Sequence, residues 1–118
     1  CLQNCGTLPD LGNFCIQRSE PAEQTMEAYL TAECLESYDR YKGTAELLPF
    51  AKGVSAKTYD FDEDGNETMI DYRRVLQLMK EAEFTGYIGI EYEGHSLSAE
   101  EGIAKTKALL ERLGRELS

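Results

Sequence analysis

Gly86-Tyr87-Ile88-Gly89-Ile90-Glu91-Tyr92-Glu93-Gly94 decides how this chain folds. Residues 87–92 read as a strand, because apolar and polar residues alternate along it. Ile88, Ile90 and Tyr92 share one face; Gly89, Glu91 and Glu93 share the other. Gly53-Val54-Ser55-Ala56-Lys57-Thr58-Tyr59-Asp60 has the same parity, with Val54 and Ala56 opposed to Ser55, Lys57 and Tyr59. A helix of about residues 72–83 lies between them. Asp71 caps it, Tyr72, Val75, Leu76 and Met79 keep apolar i, i+3, i+4, i+7 spacing, and Gly86 stops it. Strand, helix, strand is the unit of a parallel α/β protein, whose functional groups gather where strands end.

Working outward, Ser98-Ala99-Glu100-Glu101 is a capping box that opens a last helix. That helix carries Ile103, Leu109, Leu110, Leu113 and Leu117, with Gly114 expected as its C-cap. Upstream, Cys5-Gly6-Thr7-Leu8 is a short strand candidate that runs into a loop at Pro9-Asp10-Leu11-Gly12-Asn13. A helix is expected over 21–36, with Pro21 at its first position and Met26, Tyr29 and Leu30 on one stripe. A second is expected over 38–50, striped by Tyr38, Tyr41, Ala45 and Leu48, although Pro49 sits awkwardly in its last turn.

The chain has 118 residues, 42% hydrophobic and 29% charged, with a net charge of −10. Such a composition suits one soluble domain. The negative field repels phosphate backbones, so nucleic acid is disfavoured as a partner. No apolar run approaches the roughly 18 residues that cross a bilayer, and no signal peptide is visible. The chain opens on Cys1 without an initiator Met, so it is expected to be a processed product or a piece of a longer one. Cys1, Cys5, Cys15 and Cys34 include no Cys-x-x-Cys, and His95 is the one histidine, which gives zinc poor support. The cysteines are expected to be free thiols of a cytoplasmic protein.

Several residues could carry chemistry. Asp60-x-Asp62-x-Asp64-Gly65 matches the first half of an EF-hand loop. However, the eighth position is Glu67, the twelfth is Asp71 and a strand precedes it, so an ordinary acidic turn is the reading preferred. Glu91 and Glu93 end one strand on the same side, where carboxylates hold a hard cation or work as acid and base. Against this, both could be solvent-facing ends of an edge strand. Asp10 follows another strand and could add a ligand or merely bond its own turn. Lys57 could hold an anionic oxygen or simply snorkel. His95 reads as a surface residue. Polar clusters at three strand ends outweigh any one of them.

The segments Leu8 to Phe14, Val54 to Asp62 and Gly86 to Gly94 resemble the last three strand-loop units of the sugar phosphate isomerase/epimerase family, whose fold is a xylose isomerase-like TIM barrel. The resemblance runs from about residue 5 to 113. It implies an α/β fold in which residues 1–118 form a single partial domain. They would be the C-terminal three or so βα units of a (β/α)8 barrel, with parallel strands inside and helices outside.

The same resemblance implies a divalent metal (Mn, Mg, Co or Zn) held by Asp10 and Glu91. Glu91 doubles as base, Lys57 stabilises an oxyanion, and Asn13 and Lys57 meet the substrate. Ser55 stands where many members carry a histidine, which weakens the metal set. The implied reaction is proton transfer next to a carbonyl of a sugar or sugar phosphate, through an enediolate. Glu93, further along its strand and nearer solvent, is expected to matter less than Glu91. An alternative is a non-catalytic barrel fragment or binding protein that has lost the metal. An endonuclease acting at abasic DNA shares the barrel but needs several histidines. Three strands alone leave open edges, so self-association or pairing with the missing N-terminal part of the barrel is expected.

Overall fold

The computed structural model describes residues 3–118. In chain order the elements are β1 (Cys15–Arg18), α1 (Met26–Thr31), β2 (Cys34–Ser37), α2 (Arg40–Leu47), a 3₁₀ turn (Leu48–Phe50), β3 (Gly53–Thr58), α3 (Tyr72–Glu81), β4 (Tyr87–Tyr92) and α4 (Ala99–Leu117). They make a mixed α/β fold with two small sheets, of which β3–β4 is parallel and β1–β2 antiparallel.

The β3–β4 ladder pairs Gly53 with Tyr87 through Thr58 with Tyr92 in unbroken register. The expected strand at 5–8 is reduced to isolated parallel bridges, Thr7 to Ala51 and Asp10 to Ser55. Between them, residues 8 and 9 face residues 52–54, so the register slips by one as at a β-bulge. Pro9 has no N–H to donate, which accounts for the interruption, while its carbonyl still accepts from Ser55 N at 2.9 Å. The segment 7–11 therefore runs beside β3, on the side away from β4.

One face of this sheet is covered. Val54 and Ala56 lie at 1% and 0% exposure against a core of Leu11, Leu48, Ile70, Tyr72, Val75, Met79, Leu109 and Leu113, drawn largely from α3 and α4. Burying each branched side chain contributes about 1.5–3 kcal/mol. The buried Thr58 and Thr106 hydroxyls satisfy each other at 2.7 Å. Asp71 caps α3 by accepting from Arg74 N, and the Ser98–Glu101 capping box is present on α4. Gly114 is not a C-cap: α4 continues through it to Leu117, because Leu113 on the preceding turn is still buried.

On the other face Gly89 and Glu91 stay exposed, and among the described residues no helix covers them. The molecule is a slab of 46 × 42 × 23 Å. Its accessible area of 8202 Å² exceeds the roughly 6,450 Å² expected for a compact monomer of 13.3 kDa.

Residues 15–37 depart from the expected helix over 21–36. They form the β1–β2 hairpin with α1, only six residues long, between its strands. The apolar stripe of Met26, Tyr29 and Leu30 stays exposed, so nothing rewards a longer helix. Thr25 caps α1 through Ala28 N, and Arg18 closes its far end by donating to the Leu30 and Ala32 carbonyls. The irregular antiparallel pairing brings Cys15 and Cys34 to 5.9 Å between Cα atoms, and they are joined by a disulfide. This corrects the expectation of free thiols and removes the thiol argument for an intracellular compartment. Cys5 is free and exposed; Cys1 lies outside the described residues. The expected helix over 38–50 is α2 followed by the 3₁₀ turn, with Pro49 accommodated near the start of that turn. Among the described residues, no helix is long and apolar enough to cross a membrane.

Candidate functional site

Parallel strands deliver their ends to one side of a sheet, and here that side holds a charged cluster. Lys57, the penultimate residue of β3, is only 4% exposed. Its Nζ lies 3.3 Å from Asp10 Oδ2, 3.6 Å from Glu91 Oε1 and 3.3 Å from Glu93 Oε1. Three carboxylates share one ammonium, so the cluster keeps a negative excess. Burial alone would push the lysine toward neutrality. The charge and hydrogen bond of Asp10, joined by those of Glu93, outweigh it and hold the ammonium above the ordinary lysine value.

Each carboxylate is oriented separately. Asp10 accepts from Gly12 N at 3.0 Å and from Asn13 Nδ2 at 2.6 Å. Glu91 accepts from Ser55 Oγ at 2.9 Å, across the parallel pair. Gly12 is required by close approach, because a Cβ there would stand 2.4 Å from Lys57 Cδ and 2.5 Å from the Tyr59 hydroxyl. Arg40, on α2, ties the same loop down by donating to the Leu11 carbonyl at 2.9 Å. Tyr72 donates to the Lys57 carbonyl at 2.6 Å from the helix side. Burial pushes the phenol of Tyr59 up, opposed by the charge of Lys57.

The structure brings Asp10, Lys57, Glu91 and Asn13 together. Glu93 is about as exposed as Glu91, 47% against 45%, and is the closer of the two to Lys57. Sequence reasoning saw Ser55 as a missing ligand and missed it as the donor that aims Glu91. Their shared face and their strand separation carried that signal. It also missed Tyr59 and Arg40, whose parts depend on loop geometry that no spacing encodes. His95 is exposed, as expected.

Carboxylate oxygens are the right kind of donor for a hard divalent cation. Yet no group of three His, Cys, Asp or Glu among the described residues is disposed to hold a metal ion. The space between Asp10 and Glu91 is spanned by the Lys57 ammonium, and the β3 position carries a hydroxyl. These residues do not by themselves make a metal site.

The acidic loop that follows β3 closes on itself. Glu67, 8% exposed, turns inward and its carboxylate accepts from the backbone N–H groups of Tyr59, Asp60, Met69 and Ile70. Asp62 accepts from Asp64 N and Asn66 N, and Gly65 takes φ 76°. This is the ordinary turn preferred over an EF-hand. Glu67, one of the two residues that spoil the calcium pattern, is the one that organises the loop.

No known protein-family model matches the chain. It is 36% identical over 53 residues to the C-glycoside deglycosidase alpha subunit of Arthrobacter globiformis, covering 45% of this chain and 15% of that protein. It is 32% identical over 60 residues to the 3'-dehydrocarminate deglycosidase alpha subunit of a Microbacterium species, covering 51% of this chain and 17% of that one. The chain spans about one sixth of the length of these curated relatives, which are subunits of enzymes that process sugar conjugates.

Proposed function

We propose that this chain is the C-terminal part of a (β/α)8 barrel in a carbohydrate-processing enzyme, and that Glu91 and Lys57 work on a sugar carbon next to a carbonyl. The observation that carries the reading is Lys57 Nζ held within 3.3–3.6 Å of Asp10, Glu91 and Glu93 at the ends of parallel strands. Its support from the relatives is coarser: their names are those of sugar deglycosidases. Glu91, half exposed and aimed by Ser55, is the base that removes the proton. Lys57 donates to the carbonyl oxygen as it gains charge, and Asp10 keeps that ammonium in place. Asn13 and Glu93 meet sugar hydroxyls.

The enediolate has two exits. Return of the proton at the neighbouring carbon isomerises or epimerises the sugar or sugar phosphate. Alternatively, loss of a substituent β to the carbonyl forms a carbon–carbon double bond and releases the substituent with the electron pair. The second exit is favoured by the word "deglycosidase" in both relatives' names. Asp10 and Glu91 would be the two donors this chain offers a divalent metal, in place of the Lys57 ammonium that now lies between them; no step here runs through it. The uncovered polar face and free edge of β4 are proposed to pair with the rest of the barrel, or with further copies of the chain, in keeping with relatives that are named as subunits.

The test is deuterium exchange into a keto sugar by the full chain in heavy water, followed by NMR. Glu91→Gln should slow exchange by about 10²–10⁴-fold and Lys57→Met by about 10²–10³-fold, with far-UV circular dichroism unchanged. Exchange by Glu91→Gln at the wild-type rate sinks the reading. Sugar binding without exchange in the wild type favours a non-catalytic binding protein instead.

A further inference from the structure

We infer that Tyr59 is a further catalytic residue of this site: its phenol gives a proton to the group that leaves from the carbon β to the carbonyl. The inference rests on the reading of the Lys57 cluster as a sugar site, and it names the acid for the second exit. Tyr59 follows β3 directly and continues the face that carries Ser55 and Lys57. A Cβ on Gly12 would stand 2.5 Å from the Tyr59 hydroxyl and 2.4 Å from Lys57 Cδ, so the phenol and the lysine stem press on the same glycine. Tyr59 also lines two cavities, one of about 520 Å³ shared with Gly12 and Arg40 and one of about 900 Å³ shared with Glu93.

The hydroxyl is unengaged. Tyr41, Tyr72 and Tyr92 are the other tyrosines that are not exposed among the described residues, and each of their hydroxyls has a partner. Tyr41 accepts from Asp71 N, Tyr72 donates to the Lys57 carbonyl, and Tyr92 accepts from Leu97 N. Tyr59 is bonded through its backbone N–H, which donates to Glu67, while its hydroxyl meets no hydrogen-bond partner among the described residues. A partly buried hydroxyl without a partner is costly to keep. An acceptor atom on a substrate seated at Lys57 supplies the missing bond.

The other groups at these strand ends leave the role of acid open. Asp10, Glu91 and Glu93 are arranged as acceptors around the Lys57 ammonium. A phenol keeps its proton at neutral pH, and burial pushes this one further up, against the charge of Lys57. In the step, Glu91 takes the hydrogen from the carbon next to the carbonyl, and the electron pair of that C–H bond ends in the new carbon–carbon double bond. The bond to the leaving atom breaks, its electron pair stays with that atom, and the atom takes the Tyr59 proton as it departs. The phenolate left behind lies beside the Lys57 side chain, whose positive charge favours it. One proton has passed from substrate to Glu91 and one from Tyr59 to the leaving group. Water then carries the Glu91 proton back to Tyr59, and the site is reset.

The experiment compares methyl and 4-nitrophenyl 3-keto-β-D-glucopyranoside, in which the leaving oxygen sits on the carbon β to the carbonyl. Each is given to the full chain and to Tyr59→Phe. Methoxide is a poor leaving group that must be protonated, whereas 4-nitrophenolate departs without a proton. NMR follows methanol and deuterium exchange next to the carbonyl, and absorbance follows nitrophenolate. Tyr59→Phe should slow methanol release by about 10²–10⁴-fold and nitrophenolate release by less than about threefold, with deuterium exchange slowed far less than methanol release. The substitution removes a hydroxyl that bonds no described residue, so the fold is not at risk, and circular dichroism checks this. A residue that merely shaped the site would slow both substrates alike. Equal slowing of the two, or methanol release at the wild-type rate, overturns the inference while exchange by wild type upholds the sugar reading. A wild type that does not exchange deuterium overturns the sugar reading, and the inference with it.

Discussion

Residues 53–117 and residues 15–37 follow the same local rules and reach opposite outcomes. In the first region, apolar spacing on α3 and α4 meets a sheet face, and Val54, Val75, Leu109 and Leu113 are buried. In the second, Met26, Tyr29 and Leu30 keep helical spacing and remain exposed on a six-residue helix. The lesson is that periodicity states which residues could share a face, while burial decides whether that face supports a helix. Where a core exists, the elements run to their capped ends. Without one, a disulfide and a few side chain–backbone hydrogen bonds hold the segment instead.

The largest expected effect is a charge in each region. Val54→Asp puts an unpaired carboxylate at a position 1% exposed, which should cost more than about 4 kcal/mol and remove the cooperative melt. Leu30→Asp, on the exposed stripe of α1, should change stability by less than about 0.5 kcal/mol. Thermal melts by circular dichroism compare the two directly. Similar losses in both variants would break the contrast between a packed region and a pinned one.

The next effect sharpens the contrast by removing the pin. The Cys15–Cys34 bond closes a separation of 19 residues, and a loop of that size gains about 3 kcal/mol from cross-linking. In Cys15→Ser with Cys34→Ser the loss should fall on the excursion. Amide exchange should quicken at Ser19 and Tyr38, whose N–H groups bond the Glu33 and Phe14 carbonyls. The β3–β4 amides should keep their protection, as expected of separate cooperative units. Equal acceleration in β3 and β4 would show that the two regions unfold together.

The same contrast explains what was legible in the sequence. Strand parity gave β3 and β4 nearly to the residue, and with it the shared face of Lys57 and Glu91, because alternation has a fixed period of two. Asp71 and the Ser98 capping box were legible because a cap is a local bond between near neighbours. The strand at 5–8 was read too simply, since the bulge depends on how Pro9 meets β3. Free thiols were expected because no spacing tells two cysteines across a hairpin that they will meet. Glu67 was counted only against calcium, because its inward turn and its four backbone donors belong to the folded loop. In the candidate site the residue types were visible, but Ser55 as the support for Glu91 required the parallel register.

The smallest effect belongs to the packed region and concerns its best-formed local signal. Glu101 lies in the first turn of α4 and accepts from Ser98 N at 3.1 Å, while Ser98 Oγ accepts from Glu101 N at 3.2 Å. The Ser98 backbone N–H first, and then its hydroxyl, hold this carboxyl below its ordinary value of 4.5. A depressed folded-state value means stability that is present above the unfolded value and lost as pH falls through the folded one. Wild type should therefore melt slightly above Glu101→Gln at neutral pH, and the gap should close as pH drops below about 4.5. The side chain is exposed, so the difference should be smaller than the loss caused by removing the disulfide. Because α4 is already held by Leu109 and Leu113 against the core, the cap trims fraying at residues 98–101 and does not decide whether the helix forms. Paired melts of both proteins at pH 7 and pH 3 measure this. A gap that widens on acidification would mean that the Glu101 charge is unfavourable in the folded chain, and that the capping box is geometry without stabilisation.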